Sequence, residues 1–252
     1  MKLTVLGSGT MMLKKDKFPS SFLLEEGDIK LLLDCGFGAI ARLSEMDMDL
    51  RQINAVFISH FHADHFGDAF NLVHARFVAD LYENKPHSKL IFICPETTKD
   101  RFMKWREVYW PEPKEDYPLE FKEGSLEMDL GQLHIETFPV SHVPWFKSVG
   151  IRVSFKDKLL VYTGDIGSSH DFEDLVKRTQ NADLLMIEAA AQKPTPNHFT
   201  LEQIQELTER AAVKKALIVH TRPQKEWQER IRNFIKDKPT LILAEDKMTF
   251  EI

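Results

Sequence analysis

Residues 54–67 read Asn54-Ala-Val-Phe-Ile-Ser59-His60-Phe-His62-Ala-Asp64-His65-Phe-Gly67 and are the most informative segment of the chain. Its first part is mainly apolar and rich in β-formers, which predicts a buried strand that runs into the histidines. Four potential metal ligands then follow within six residues. His60 and His62 are two residues apart, so in an extended segment their side chains point the same way. Asp64 and His65 follow after a turn and can face a second point in space.

Imidazole and carboxylate ligands suit zinc, manganese or iron. A structural zinc site would favour cysteines in a closed tetrahedral set. The chain has two cysteines, Cys35 and Cys94, and neither lies in this stretch. An open, catalytic site is therefore favoured. The alternative is a polar loop whose histidines satisfy backbone groups, which is the weaker interpretation for four ligands at this spacing.

The segment His60-Phe-His62-Ala-Asp64-His65 resembles the HxHxDH signature of the metallo-β-lactamase superfamily. Other segments resemble that family's remaining motifs in the same order: Leu33-Asp34-Cys35-Gly36, Pro139-Val-Ser-His142, Tyr162-Thr-Gly-Asp165, Val219-His220 and a closing hairpin over Leu243–Phe250. The resemblance spans nearly the whole chain. It implies an α/β (α+β) fold, a four-layer αββα sandwich formed by one domain over residues 1–252, with the site at one edge between the sheets.

The resemblance also implies the ligand set of two divalent transition metals, with Zn²⁺ the first candidate and Mn²⁺ or Fe the others. His60, His62 and His142 would hold one metal, and Asp64, His65 and His220 the other, with Asp165 bridging. Two close metals lower the pKa of a shared water and stabilise the charge of the transition state. This chemistry makes Asp64 a catalytic candidate as well as a ligand.

Asp34 would act from behind the ligands by orienting a ligand histidine. The alternative is a turn carboxylate that precedes Gly36.

The segment Asn197-His198-Phe-Thr200 resembles the HxT element of ribonuclease Z and its phosphodiesterase relatives. In that branch the histidine assists the departing alkoxide, so His198 is the second catalytic candidate. The alternative is a loop histidine beside a helix N-cap, because Thr200 and Gln203 fit a capping box. Both interpretations can hold together. The residue at the bridging position also favours this branch. The best-known true β-lactamases carry Cys there, whereas this chain has Asp165, and a carboxylate bridge resembles the hydrolases of phosphodiesters and thioesters.

The leading expectation is a hydrolase in which a metal-bridged hydroxide attacks a small-molecule or short nucleotide phosphodiester. Extended tRNA binding is not expected, because the sequence shows no Gly/Pro-rich arm and the net charge of −6 disfavours a large RNA footprint. One alternative is hydrolysis of carboxylic esters, lactones, thioesters or β-lactams on the same metals. Another is a non-hydrolytic iron-binding metalloprotein.

Three residues beside the ligands are candidates for the substrate pocket. Trp145 and Phe146 follow His142 closely, and Arg222 follows His220 by two. Arg222 could pair with a phosphate or be a surface arginine. The aromatic and proline-rich segment 105–118 could border the pocket, form a dimer contact or pack on the sheet.

The composition is that of an ordinary globular protein, with 252 residues, 43% hydrophobic and 29% charged. Disordered, collagen-like and coiled-coil classes are excluded. No window reaches the roughly 18 apolar residues of a membrane span, and no leader pattern is visible. With only two cysteines, the chain is expected in the cytoplasm. A homodimer is a further expectation, because dimers are common among soluble enzymes.

The turn residues also predict local structure. Glu26-Gly27-Asp28 and Lys156-Asp157 each join two strand patterns, which predicts two hairpins. A helix is expected over residues 201–213, another over 97–109, and two strands between 240 and 252.

Overall fold

The computed structural model describes residues 1–86, 88–109 and 118–252, with Tyr109 described by its backbone alone. Its strands are β1 Lys2–Gly7, β2 Ser21–Glu26, β3 Ile29–Cys35, β4 Ala55–Phe57, β5 Leu90–Cys94, β6 Leu119–Glu123, β7 Glu127–Leu130, β8 Leu133–Val140, β9 Ser148–Phe155, β10 Lys158–Tyr162, β11 Leu184–Glu188, β12 Ala216–Val219, β13 Leu241–Leu243 and β14 Thr249–Glu251. Its helices are α1 Ala39–Glu45, α2 Ala63–Phe66, α3 Ala69–Tyr82, α4 Thr98–Tyr109, α5 Phe172–Thr179, α6 Leu201–Arg210 and α7 Lys225–Ile235, with a 3₁₀ turn at Leu50–Gln52.

The strands form two seven-stranded sheets with the same internal plan. The first has the order β14-β1-β2-β3-β4-β5-β6 and the second β13-β12-β11-β10-β9-β8-β7. In the first sheet, β14, β1, β2 and β3 pair with their neighbours antiparallel, and in the second sheet so do β7, β8, β9 and β10. Strands β3 to β6 pair parallel, as do β10 to β13. Each sheet therefore has an antiparallel half and a parallel half.

Side chains alternate between two buried faces in both sheets. In β3, Leu31 and Leu33 belong to the core between the sheets, whereas Leu32 belongs to the core beneath the first helix layer. In β11, Met186 faces the core between the sheets and Leu185 faces the second helix layer. Strands covered on both faces read as continuous apolar runs. The predicted four-layer αββα sandwich is confirmed.

Both predicted hairpins are confirmed, with β2 paired to β3 and β9 to β10. Gly27 and Lys156 have positive φ values of 55° in these turns. The helix expected over 201–213 is shorter and ends at Arg210, with Ala211 as its C-cap. The pattern also did not predict β6 and β7, which are short strands at sheet edges and only partly buried.

The expectation of a closing hairpin was wrong. Strand β13 lies at the edge of the second sheet and β14 at the edge of the first. The connection between them is held by Asp246, whose carboxylate accepts hydrogen bonds from the backbone N–H groups of Ser8 and Phe18. The chain end therefore crosses from one sheet to the other.

The helix expected over 97–109 begins at Thr98, and residues 110–117 of the 105–118 segment lie outside the described residues. Of the helices that the structure describes, none combines the length and apolar character that a membrane span requires.

Candidate metal centre

Three histidine nitrogens converge at one side of the centre. His60 and His62 leave the end of β4, and His142 follows β8 in the other sheet. His60 Nε2 and His62 Nδ1 lie 2.9 Å apart, and His142 Nε2 lies 3.3 Å from the same His62 atom. His60 and His142 are buried, and His62 is half-buried. The first sheet thus supplies two members of this cluster and the second sheet one.

A second cluster contains Asp64 and His65 on α2 together with His220, which follows β12. His220 Nε2 lies 3.9 Å from Asp64 Oδ2, and all three side chains are buried. His220 has a φ of 48°, a left-handed backbone conformation that is uncommon for a non-glycine residue. Conformations of this kind occur where surrounding structure holds them, often at functional sites.

Asp165, after β10, lies between the two clusters. Its Oδ1 is 3.3 Å from His65 Nε2, and its Oδ2 is 3.3 Å from His220 Nε2. The same Oδ2 is 3.9 Å from His60 Nε2 and 3.8 Å from His142 Nε2. One carboxylate therefore reaches both groups of ligand atoms.

Hydrogen bonds on the outer side fix which histidine nitrogen faces inward. His142 Nδ1 lies 2.8 Å from the Asn197 carbonyl oxygen, which can only accept, so Nδ1 donates and Nε2 presents its lone pair inward. His65 Nδ1 likewise donates to Asp34 at 2.7 Å. His220 Nδ1 lies 3.1 Å from Ser20 Oγ, which in turn contacts the Gly9 carbonyl. Such outer partners are typical of metal-binding histidines.

The donor set fits two divalent cations. Lone pairs on nitrogens about 3 Å apart repel one another unless a cation lies between them. His65 Nε2 and Asp165 Oδ1 are buried 3.3 Å from each other, and neither makes a well-oriented hydrogen bond with the described residues. Unpartnered buried polar atoms are costly, and a bound cation would satisfy both. Imidazole and carboxylate ligands suit zinc, manganese and iron. The two groups could therefore hold metal ions.

The pKa values of the cluster differ according to local charge. Burial lowers the pKa of four histidines: His60, His62, His142 and His220. The pKa of His142 falls to about 4. Burial also disfavours the protonated form of His65. The negative charges of Asp165 and Asp34 have the larger effect, so the pKa of His65 is raised well above its ordinary value. Most of the centre is thus neutral imidazole, the form that binds a metal.

Asp34 connects the two sheets behind the ligands. It is fully buried, with a φ of 56°, and Oδ2 accepts from Ser59 Oγ at 2.8 Å and from the Tyr162 hydroxyl at 2.6 Å. Its Oδ1 accepts from the Ser59 backbone at 2.7 Å. Together with the bond from His65, four donors hold this carboxylate. The orientation of His65 is therefore set by groups from both sheets.

His198 lies next to the clusters, with its ring 5.2 Å from the ring of His142 and 6.4 Å from that of His220. Its Nδ1 lies 2.8 Å from Glu188 Oε1. Burial opposes the charge on His198, but the hydrogen bond to Glu188 raises its pKa above the ordinary value. The capping box is confirmed, because Thr200 and Gln203 exchange side chain to backbone hydrogen bonds at the start of α6.

Sequence reasoning missed Glu188. Glu188 is the last residue of β11 and is fully buried. Its carboxylate accepts hydrogen bonds from the backbone N–H groups of Ala190 and Phe199 and also contacts His198. Burial raises its pKa. The available signal was a single carboxylate within the apolar run 184–191, because such a residue needs a partner when buried.

The pocket candidates separate into two groups. Trp145 and Phe146 line a cavity of about 1180 Å³ that also includes His142 and Asn197. Arg222 does not line this cavity; it is exposed, and its charge opposes protonation of His198. In the neighbouring part of the fold, Trp105 lines a second cavity of about 650 Å³ that shares Thr97 with the first.

Fold and site together define a metallo-β-lactamase fold with a possible metal site. A family model described as "Anti-Pycsar protein Apyc1" matches residues 1–240. The chain belongs to this family.

Individual relatives agree with that placement. The chain is 24% identical over 218 residues to "Anti-Pycsar protein Apyc1" of Saccharibacillus brassicae, covering 83% of this chain and 85% of the relative. It is 24% identical over 246 residues to "Ribonuclease Z" of Mycobacterium sp. (strain KMS), covering 88% and 85%. The metallo-β-lactamase fold protein YhfI from Bacillus subtilis superposes with a TM-score of 0.83 at 20% identity, over 100% of this chain and 99% of that one.

Proposed function

We propose that this chain is a dinuclear metal-dependent phosphodiesterase whose substrate is a small cyclic nucleotide. The observation that carries the proposal is the Glu188–His198 pair next to two converging groups of metal-ligand atoms. A phosphodiester with an alkoxide leaving group needs a proton for that group, and this pair could supply it. A thiolate leaves without a proton, so a thioester gives the pair no such role. An alkyl ester shares the need for a proton, so the choice of a phosphodiester over an ester depends on the family membership.

In this proposal seven side chains hold the metals. His60, His62 and His142 would hold one cation and Asp64, His65 and His220 the other, and the Asp165 carboxylate lies within reach of both groups of ligand atoms. When bound, the two cations supply Lewis acidity and lower the pKa of water so that hydroxide forms at neutral pH. Asp34 keeps His65 Nδ1 protonated, so that His65 Nε2 is free to bind. Asp64 would also orient the attacking nucleophile.

His198 supplies the proton to the leaving oxygen. Its Nδ1 is engaged by Glu188, so the transferable proton is on Nε2. The hydrogen bond to Glu188 raises the pKa of His198 and so favours the protonated ring. Glu188 stabilises the protonated ring before transfer and fixes the ring plane through its own backbone hydrogen bonds.

Membership of the Anti-Pycsar protein Apyc1 family favours a cyclic nucleotide among the phosphodiesters. Its ring-opening releases an alkoxide of the ribose, a poor leaving group that needs the proton from His198. The net charge of −6 also suits a small substrate better than a long polyanion. Homodimerisation, a cytoplasmic location, zinc as the native metal and one domain over residues 1–252 stay predictions.

The experiment is a substrate panel on metal-replete protein, with an Asp165→Ala variant prepared identically as the control. Uridine 3′,5′-cyclic monophosphate, bis-p-nitrophenyl phosphate, a precursor tRNA, a lactone, a thioester and a cephalosporin would be compared. We expect the cyclic nucleotide to give a linear monophosphate and the control to give none. Turnover confined to the lactone, thioester or cephalosporin would contradict the proposal, as would the absence of hydrolysis throughout.

A further inference from the structure

Trp145 is an exposed aromatic side chain at the edge of the metal centre. Its exposed fraction is 65%, the highest of the tryptophans whose exposure the structure describes. It lies three residues after His142, and no ring contact with another described aromatic residue accompanies it. Tryptophan is usually well buried, because the indole contributes a large apolar area. An indole left in water beside a candidate active site calls for an explanation.

The position of Trp145 is fixed by its neighbours in the chain. Phe146 stacks on the ring of His60 at 5.7 Å with an interplanar angle of 25°, and meets His62 edge-on at 4.9 Å. Pro144 restricts the backbone on the other side, since its ring fixes φ. The backbone of Trp145 is therefore held between a proline and a residue packed against the proposed metal ligands.

Trp145 lies beside apolar, cationic and acidic side chains. It lines the cavity of about 1180 Å³ together with the cations Arg101, Lys147 and Arg178 and the carboxylates Asp171 and Asp174. Asp174 forms an ion pair with Arg178. Lys147 is exposed and forms no ion pair with the residues that the structure describes, and Arg101 lies over the Phe61 ring at 5.2 Å. Cations around one exposed indole suit an aromatic ligand that carries negative charge.

We infer that Trp145 is the stacking platform for the nucleobase of the substrate, with Lys147 and Arg101 providing positive potential at that side of the cavity. This inference rests on the proposed function and names the residue that selects a base-bearing substrate. An indole face stacks on any nucleobase, and one such stack contributes substantially to nucleic-acid binding. Trp145 then acts on substrate binding, while the metals and His198 act on the phosphoryl group.

The test compares two phosphodiesters that differ only in the base. The first is uridine 3′,5′-cyclic monophosphate. The second is methyl β-ribofuranoside 3′,5′-cyclic phosphate, which has no nucleobase. With the cyclic nucleotide, Trp145→Ala should raise KM by roughly 10- to 100-fold, the effect of removing one base–aromatic stack, with little change in kcat. Trp145→Phe should restore most of the affinity. With the analogue that lacks a base, wild type and Trp145→Ala should have equal KM values.

Tyr82→Ala is the matched control, because Tyr82 is 85% exposed and does not line this cavity. It should leave both substrates unaffected, and metal content should be the same in all variants. An equal loss on both substrates, or no change in KM for the cyclic nucleotide, would overturn the role of Trp145 while leaving the proposed function intact. If wild-type protein hydrolyses neither substrate, the proposed function fails and this inference fails with it.

Discussion

The two sheets share one strand plan but deliver their site residues differently. The first sheet supplies His60, His62, Asp64 and His65 from a single six-residue stretch after β4. The second supplies one residue from each of three strand ends: His142 after β8, Asp165 after β10 and His220 after β12. The geometry of the first set depends on one local turn. The geometry of the second set depends on the register of a whole sheet.

Neither sheet holds a complete cluster. His142 of the second sheet completes the group of His60 and His62, and His220 completes that of Asp64 and His65. A close approach also marks this contact between the sheets: a Cβ on Gly164, which has a φ of 60°, would lie 2.5 Å from Ser59 Cβ. A metal bound in either group would therefore connect the sheets, and substitutions can test how far the two contributions depend on each other.

The largest effect is expected at Asp165, the one side chain that reaches both groups of ligand atoms. Asp165→Ala should lower the metal content from about two equivalents and abolish turnover, a loss beyond the roughly 10- to 100-fold typical of residues behind the ligands. Elemental analysis and kcat/KM on the cyclic nucleotide check this. Asp28→Ala, at an exposed turn, is the control. A variant that keeps both metals and full activity would show that the two groups do not share this carboxylate.

The next effect separates metal binding from proton transfer. His198→Ala should retain both metals, because His198 is assigned to the substrate, and kcat should fall by roughly 10²- to 10⁴-fold when the leaving group is a poor alkoxide. The loss should shrink with p-nitrophenolate, which needs little protonation. Glu188→Gln should lower kcat less than His198→Ala does, and its loss should also shrink with p-nitrophenolate. Loss of a metal from His198→Ala would mean that this histidine is a ligand, and an unchanged rate would return it to a loop role.

A smaller effect is expected where the sheets meet behind the ligands. Asp34→Asn should weaken metal affinity or activity about 10- to 100-fold, because it disturbs the partner that orients His65. Tyr162→Phe removes one of the four donors to Asp34 and should cost about 1 kcal/mol of stability with little effect on turnover. Metal titration and urea unfolding would measure both. Equal loss of activity in the two variants would mean that Tyr162 itself positions the site.

The smallest effect concerns the point where the chain end crosses between sheets. Lys17 Nζ donates to Ser8 Oγ at 3.2 Å and to the Ala244 carbonyl at 3.4 Å. Burial lowers the pKa of Lys17 to about 8. The unfolded chain has the ordinary lysine pKa of about 10.4 and therefore binds more protons between these pH values. The folded state should consequently gain stability as the pH rises from about 8 to about 10.4, and lose the same amount as the pH falls back through this range.

Urea unfolding between pH 7.5 and 10.5 would measure the Lys17 effect. Wild type should gain about 2–3 kcal/mol relative to Lys17→Met over this range. Lys15→Met, at an exposed position of the same loop, should follow the wild-type curve. Parallel curves for wild type and Lys17→Met would show that the lysine keeps its proton when folded.

Local patterns predicted the elements well where both faces of a strand are buried. The runs that form β3, β11 and β12 are mainly apolar, and Lys30, Asp34 and Glu188 are their only charged residues. Patterns failed at the sheet edges, where β6 and β7 are polar and short. They correctly predicted two strands between 240 and 252. The pairing of these strands as a hairpin was wrong, because a turn signal shows that the chain reverses or bends but not which sheet accepts the next strand.

The sequence by itself determined the chemistry of this protein: the ligand types, their dense spacing between His60 and His65, and the order of motifs that indicated an αββα sandwich. Only the tertiary structure decided the distances. It placed Asp165 within 3.3 Å of residues from both sheets and joined Glu188 to His198, although Glu188 carried no motif. The reason is physical. The type of a side chain sets its affinity for a metal or a proton, and the type can be read from the sequence. Whether several side chains converge on one site depends on strand register and on packing between layers, which residues far apart in the chain establish together.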